Sequence, residues 1–203
     1  MPNTISVFVV DDDAAIRDSL SSLLTGAGMR VDTYESGWHF LQVYDPEMQG
    51  CVLLDVRMPR LNGLELLSEL RARKCRLPIV IMTAHGEIKI AVQAMKLGAA
   101  DFIEKPFHEN SLINTINSAL EQSDQELADD QAGSRFLAGI SDLSERERQV
   151  FDLLVQCDSN KVIAAKLNIS PRTVEIHRAR VMNKLAMENL SQLLRQATKT
   201  GFI

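Results

Sequence analysis

Short apolar runs recur through the first half of the chain, at 5–10, 29–34, 51–55, 78–83 and 100–104. Each has the length and the β-branched content of a buried strand. Between them apolar residues fall at helical spacing. Ile16, Leu20, Leu23 and Leu24 stand at i, i+4, i+7 and i+8, and Leu64, Leu66, Leu67 and Leu70 line a similar face. Asp13 is placed to cap the first helix and Asn62 the third. A fourth helix is expected from about Gly86 to Leu97, closing at Gly98, and a fifth from near Glu109 with Leu112, Ile116, Ala119 and Leu120 inward. Five such strand–helix units predict an α/β, flavodoxin-like domain whose five parallel strands run in the order 2-1-3-4-5.

After residue 121 the alternation stops. Residues 122–140 are acidic, poor in apolar side chains and contain Gly133, so they read as a linker, with the fifth helix continuing to about Asp130. Helical periodicity then returns without strands, over 144–156, 160–167, 171–185 and 189–199. The organisation expected is therefore an α/β domain over 1–121, an acidic and partly helical linker over 122–140, and a small all-α four-helix domain over 141–203. Ser144 with Glu147 three residues on forms a capping box, and Ser170 followed by Pro171 marks another helix start. Helices 160–167 and 171–185 are joined by a tight Asn-Ile-Ser turn, the layout of a helix-turn-helix. Val174, Val181 and Leu185 are expected to face the core.

Charge sharpens this division. Residues 1–120 hold 11 Lys/Arg against 15 Asp/Glu, whereas 141–203 hold 10 against seven. Within 161–184 six basic side chains face only Glu175. An acidic front and a basic back suggest small-ligand chemistry in one domain and nucleic acid in the other. No apolar run is long enough to cross a bilayer, and the first residues lack a signal-peptide pattern. Cys51, Cys75 and Cys157 form no CxxC pair and their number is odd, so a reduced, cytoplasmic setting without membrane partners is expected. The four histidines show no zinc spacing.

The chemistry-bearing residues close the apolar runs: Asp11, Asp12 and Asp13 after the first, Asp55 after the third, Thr83 after the fourth, and Lys105-Pro106 after the fifth. In a parallel sheet those ends share one edge, where open α/β folds place their ligands. Clustered carboxylates repel unless a cation sits among them, and Mg²⁺ suits oxygen ligands beside a phosphate. Asp12 and Asp55 would bind it directly, Asp11 directly or through water. Asp55 is the expected nucleophile toward phosphorus, with Lys105 offsetting charge on the phosphoryl oxygens and Thr83 donating to one of them.

This set, with the stretch Leu-Leu-Asp-Val-Arg-Met-Pro-Arg-Leu-Asn-Gly at 53–63, resembles the receiver domain of two-component response regulators. Residues 141–203 resemble the LuxR/NarL class of DNA-binding domains, in the FixJ-like domain order. The resemblance adds the Arg57 backbone carbonyl as a metal ligand, Phe102 as the switch aromatic and a cis Lys105–Pro106 bond. It implies phosphorylation of Asp55 by a sensor histidine kinase, binding to double-stranded promoter DNA, contact with RNA polymerase, and either relief of inhibition or homodimerisation through a helix-four face including Val92 and Lys96. In the second domain Lys161, Arg178 and Lys184 are expected mainly at phosphates. Thr173, Glu175, His177 and Arg178 are candidates for base edges, with Arg172 and Arg180 on exposed or flanking faces. His85 reads as a loop residue. Cys157 stands where the class often has glycine, in a turn expected to be left-handed. The enzyme alternative is a phosphatase using Asp11 and Asp13 as a DxD motif. Its fold needs a further acidic pair after strand four, which this chain lacks.

Overall fold

The computed structural model describes residues 5–84 and 88–203. It divides into two compact units, Met1–Gln125 and Glu126–Ile203. The expectations for His85 and for a helix start at Gly86 lie outside the described residues.

The first unit is built from β1 (Ser6–Val10), α1 (Ala14–Gly26), β2 (Arg30–Tyr34), α2 (Gly37–Val43), β3 (Cys51–Asp55), α3 (Gly63–Ala72), β4 (Ile79–Ala84), α4 (Ile88–Lys96), β5 (Asp101–Lys105) and the first part of α5 (Glu109–Ser141). All strand pairings are parallel, in the order β2-β1-β3-β4-β5. β3 is buried along its whole length because both faces of the sheet are covered. Phe8, Val10, Val52, Leu54, Ile79 and Ile81 face one apolar layer with Leu66, Leu67 and Leu70 of α3. Val7, Val9, Leu53, Val80 and Met82 face the other with Leu20 and Leu24 of α1 and Leu112 and Ile116 of α5. Alternation along each strand thus separates the two layers, and the register pairs Val10 with Leu54, Asp55 with Met82 and Thr83 with Glu104.

Capping fixes where the helices begin at the site. The Asp13 carboxylate accepts from the amides of Ala15 and Ile16, and Asn62 with Glu65 forms a reciprocal box at α3. Gly63 opens α3 against the end of β3. A Cβ there would collide with the carbonyl of Asp55, so only glycine lets the helix start this close to the acceptor strand.

The second unit holds the rest of α5, then α6 (Glu145–Leu154), α7 (Asn160–Leu167), α8 (Pro171–Lys184) and α9 (Leu190–Lys199). Phe136, Val150, Phe151, Leu154, Ile163, Val174, Val181, Leu185 and Leu193 form its core. One expectation needs correcting. Instead of a linker whose helix fades at about Asp130, α5 continues unbroken to Ser141. Phe136 and Ile140, one turn apart, are buried in the helical core, so residues that read as a tether by composition contribute packing. Gly139 lies so close to the Lys184 carbonyl that an added Cβ would stand 2.7 Å from it.

Candidate functional site

The carboxyl edge of the sheet brings the expected residues of the first unit together. Asp11 follows β1 and is buried; Asp55 ends β3 and is 8 % exposed; Lys105 ends β5. The Lys105 ammonium lies between the two acids, donating to Asp11 Oδ2 at 2.8 Å and to Asp55 Oδ1 at 2.7 Å. The other Asp55 oxygen accepts the Arg57 amide at 2.6 Å. Asp11 Oδ1 accepts the Asp13 amide at 2.9 Å, and the Asp11 carbonyl accepts Arg17 Nη1 at 2.8 Å. Arg17 was not among the residues expected here. Its place one turn into the capped helix is the signal that could have found it.

These contacts shape the acidity of the edge. Burial is the largest influence on the Asp55 carboxyl and raises its pKa, with the Asp11 charge adding to the rise against the pull of Lys105. Burial also works against the Lys105 charge. The bonds it donates to Asp11 and Asp55 outweigh that cost and hold its pKa above the usual lysine value. Two buried carboxylates share one ammonium, so the edge is short of positive charge. Carboxylate oxygens in that condition suit a small hard dication. Among the described residues no three acidic, histidine or cysteine side chains form a ready metal cage, and Asp12 is exposed.

Thr83 is buried on β4, one residue beyond the Asp55–Met82 pairing, and its hydroxyl lies 3.4 Å from the Ala84 carbonyl. Phe102 on β5 is 42 % exposed, beside Val92 and Met95 of α4. Together with Ala91 and Lys96 these line an open apolar groove of about 400 Å³. A second groove of about 370 Å³ runs from Ile16, Leu20 and Leu23 of α1 to Lys105, Pro106 and Phe107. The Lys105–Pro106 bond is cis, as the receiver resemblance implied.

In the second unit the caps at Ser144, Ser159 and Ser170 set α6, α7 and α8. Asn168 takes the left-handed turn between α7 and α8 at φ 52°, a conformation asparagine tolerates. Cys157 is left-handed at φ 63° and exposed. The outward face of α8 is a stripe of Arg172, Glu175, Ile176, Ala179, Arg180 and Asn183, at the spacing of a single helix face. Thr173, His177 and Arg178 flank it half-buried. Thr173 serves the cap, with its amide donating to Ser170 Oγ at 3.0 Å. Arg178 donates to Asn160 Oδ1 at 3.2 Å, tying α8 to the start of α7. His177 Nδ1 is buried with no hydrogen-bond partner among the described residues. Lys161 is exposed on α7.

Lys184, expected at a phosphate, has partners within the helical unit. Its ammonium donates to Glu147 Oε2 at 2.7 Å and to the Asp142 carbonyl at 2.9 Å. Glu147 is buried, and with Lys184 and the Ser144 amide as donors its carboxyl is held down at about 2. Lys184 therefore ties the end of α8 to the start of α6. In sequence it looked like one more basic residue of a basic helix; only the fold brings Glu147 to it.

Comparison with known proteins agrees with both units. Residues 7–117 match the response regulator receiver domain, and residues 141–197 match the bacterial regulatory proteins of the luxR family. The chain is 45 % identical to the transcriptional regulatory protein FixJ of Azorhizobium caulinodans, over 99 % of this chain and 95 % of that one. The response regulator StyR superposes with a TM-score of 0.73 at 39 % identity, covering 97 % of this chain and 99 % of that one. Full-length FixJ from B. japonicum gives 0.60 at 45 % identity, covering 98 % of each. No helix among the described residues is long and apolar enough to cross a membrane. A receiver domain followed by a LuxR-family DNA-binding domain makes this chain a member of the response regulators that control transcription.

Proposed function

We propose that Asp55 is the phosphoacceptor and that its phosphorylation by a sensor histidine kinase governs binding of α8 to promoter DNA. The observation that carries this reading is the Lys105 ammonium held between Asp11 and Asp55 at the carboxyl edge of the sheet. An Asp55 oxygen forms the bond to phosphorus while the P–N bond of the donor phosphohistidine breaks, and the imidazole leaves with the bonding electrons. Lys105, freed from one carboxylate charge as Asp55 becomes an acyl phosphate, turns to a phosphoryl oxygen. The Arg57 amide keeps the acceptor carboxylate oriented before attack. Asp11, Asp12, Asp55 and the Arg57 carbonyl would hold Mg²⁺, which when bound supplies the positive charge the edge lacks and screens the acceptor from the incoming phosphoryl group. The chain makes and loses its own acyl phosphate slowly and otherwise performs no catalysis.

The groove between α1 and Pro106–Phe107 opens beside Lys105 and is apolar, which suits a helix of the kinase that carries the donor histidine to the site. After phosphorylation Thr83 draws toward a phosphoryl oxygen, Phe102 follows into the space it leaves, and the α4–β5 groove with Val92 and Lys96 becomes the face for a second phosphorylated chain. Pairing adds the binding free energies of two DNA half-sites. RNA polymerase is the partner through which bound protein would act.

The test uses a small phosphodonor with Mg²⁺ and an operator containing one or two half-sites. Phosphorylation should tighten binding to two half-sites far more than to one, and Thr83→Ala should take up phosphate yet lose that gain. Equal tightening on both operators would replace dimerisation with release of an intramolecular block. A Thr83→Ala chain that regulates normally would remove Thr83 from the switch.

A further inference from the structure

One basic side chain at the edge of the α/β unit has no part in the chemistry so far. Arg17 is the fourth residue of α1 and is half-buried. A cation near the start of a helix meets the positive end of its dipole, and acids are preferred there, yet the first turn of α1 holds none. Asp11, Asp12 and Asp13 stand just before it in the chain. A guanidinium beside so many acids is expected to grip a carboxylate through two parallel bonds. Among the described residues Arg17 makes no ion pair, and its Nη1 donates instead to the Asp11 main-chain carbonyl at 2.8 Å. That carbonyl belongs to the planar peptide joining Asp11 to Asp12, so holding its oxygen fixes the plane from which the Asp12 backbone leaves. The neighbours of Asp12 are otherwise engaged. The Asp11 amide donates to the Tyr34 carbonyl at 3.2 Å, and its carboxylate accepts from the Asp13 amide and from Lys105. The Asp13 carboxylate accepts the Ala15 and Ile16 amides at 2.8 and 3.4 Å. Asp12 is left exposed between two anchored residues, and the Arg17 bond acts on the peptide leading into it.

We propose that Arg17 is a positioning residue of the phosphoryl-transfer edge: by pinning the Asp11–Asp12 peptide it presets the Asp12 carboxylate for Mg²⁺. This rests on the proposed Mg²⁺ site at Asp11, Asp12 and Asp55. The neutral carbonyl is what suits Arg17 to the task. An arginine paired with Asp12 would occupy the oxygens that a hard dication needs. Bonded to the backbone, it orders the loop and leaves those oxygens open. Its charge alone works the other way, because a cation repels a dication nearby. One side chain thus has two effects of opposite sign on Mg²⁺ affinity. Orientation outweighs repulsion: losing a group that orients a metal ligand costs about 10–100-fold in affinity, whereas a charge half open to water is screened.

The experiment titrates Mg²⁺ into the full chain at constant ionic strength. One arm follows the thermal midpoint of the α/β unit without phosphodonor; the other follows labelling by a small phosphodonor. Arg17→Met keeps the length of the stem and removes every donor, whereas Arg17→Lys keeps a cation that can donate. Circular dichroism checks that both fold. Arg17→Met should need about tenfold more Mg²⁺ for half its stabilisation and for half-maximal labelling, the low end of what loss of an orienting group costs. The effect should lie in the Mg²⁺ requirement more than in the plateau, and Arg17→Lys should recover part of it. If Arg17→Met needs less Mg²⁺ than wild type, the residue acts only as a repelling charge. If the requirement does not change, the carbonyl bond serves the fold alone. Either result overturns the proposal. Failure of Mg²⁺ to stabilise wild type would remove the cation site, and the role of Arg17 with it. Stabilisation by Mg²⁺ with label found away from Asp55 would sink the phosphoacceptor reading and leave the Arg17 result standing.

Discussion

Two units of one chain treat buried charge in opposite ways. In the α/β unit Asp11, Asp55 and Lys105 meet at the end of an otherwise apolar sheet, and the Asp55 carboxyl is raised because burial outweighs its partners. In the helical unit the buried acid is Glu147. It sits in a complete set of donors, the Ser144 amide and Lys184, which hold its carboxyl down at about 2. An under-compensated cluster is poised to take a cation and a phosphoryl group, whereas a satisfied pair has its capacity spent on the fold. Burial with a charge deficit marks the candidate site in one unit, and the exposed face of α8 is the candidate in the other.

The contrast breaks most readily at Asp55. Asp55→Asn keeps the shape of the edge but lacks the nucleophilic carboxylate, so labelling by a small phosphodonor with Mg²⁺ should fall to background. Label retained on this variant would move the acceptor to Asp11 or Asp12. Lys105→Met removes the shared ammonium and leaves the two acids facing each other. It should cost about 2–4 kcal/mol in urea unfolding at neutral pH, with part of the loss recovered on adding Mg²⁺. A loss that Mg²⁺ does not lessen would argue against a cation site at this edge.

Glu147→Gln should lower the stability of the helical unit by about 1–2 kcal/mol, because one member of a capping box and ion pair is lost. The pH dependence has a definite sign. The folded carboxyl lies below its ordinary 4.5, so its contribution is complete above that value and drains away as pH falls toward 2. Calorimetry of wild type should show the helical transition falling across that window, and Glu147→Gln should flatten this part of the profile. The smallest effect separates the two kinds of cation on α8. Arg180→Ala should reduce the salt dependence of DNA binding by about one unit of slope, as for a lost phosphate contact, whereas Lys184→Ala should leave the slope unchanged and cost stability instead. Equal slopes for both variants would return Lys184 to the DNA surface.

The α/β unit was legible because Asp11, Asp55 and Lys105 each close a run of apolar residues, and strand ends in a parallel sheet have only one place to meet. Its strand order, its caps at Asp13 and Asn62 and the cluster of Asp11, Asp55 and Lys105 all follow from that rule. The helical unit obeyed the same reading for its elements and its core positions Val174, Val181 and Leu185. The partners of its polar side chains were less legible, because periodicity separates core from non-core and says little about which polar residues are already taken. Lys184 is claimed by an acid 37 positions earlier, and Arg178 by Asn160 across the turn. The acidic stretch before 141 hid Phe136 and Ile140, because its composition concealed two well-placed apolar residues.

The central claim is that the under-compensated edge takes phosphate on Asp55, and the direct measurement is the position of the acyl phosphate. The phosphorylated chain is reduced with borohydride, which converts a phosphorylated aspartate to homoserine, and the peptides are sequenced by mass spectrometry. The account predicts homoserine at position 55 and unaltered aspartate at 11, 12 and 13. Homoserine at 11 with an intact Asp55 would contradict it and point to the phosphatase-like use of the first acidic cluster.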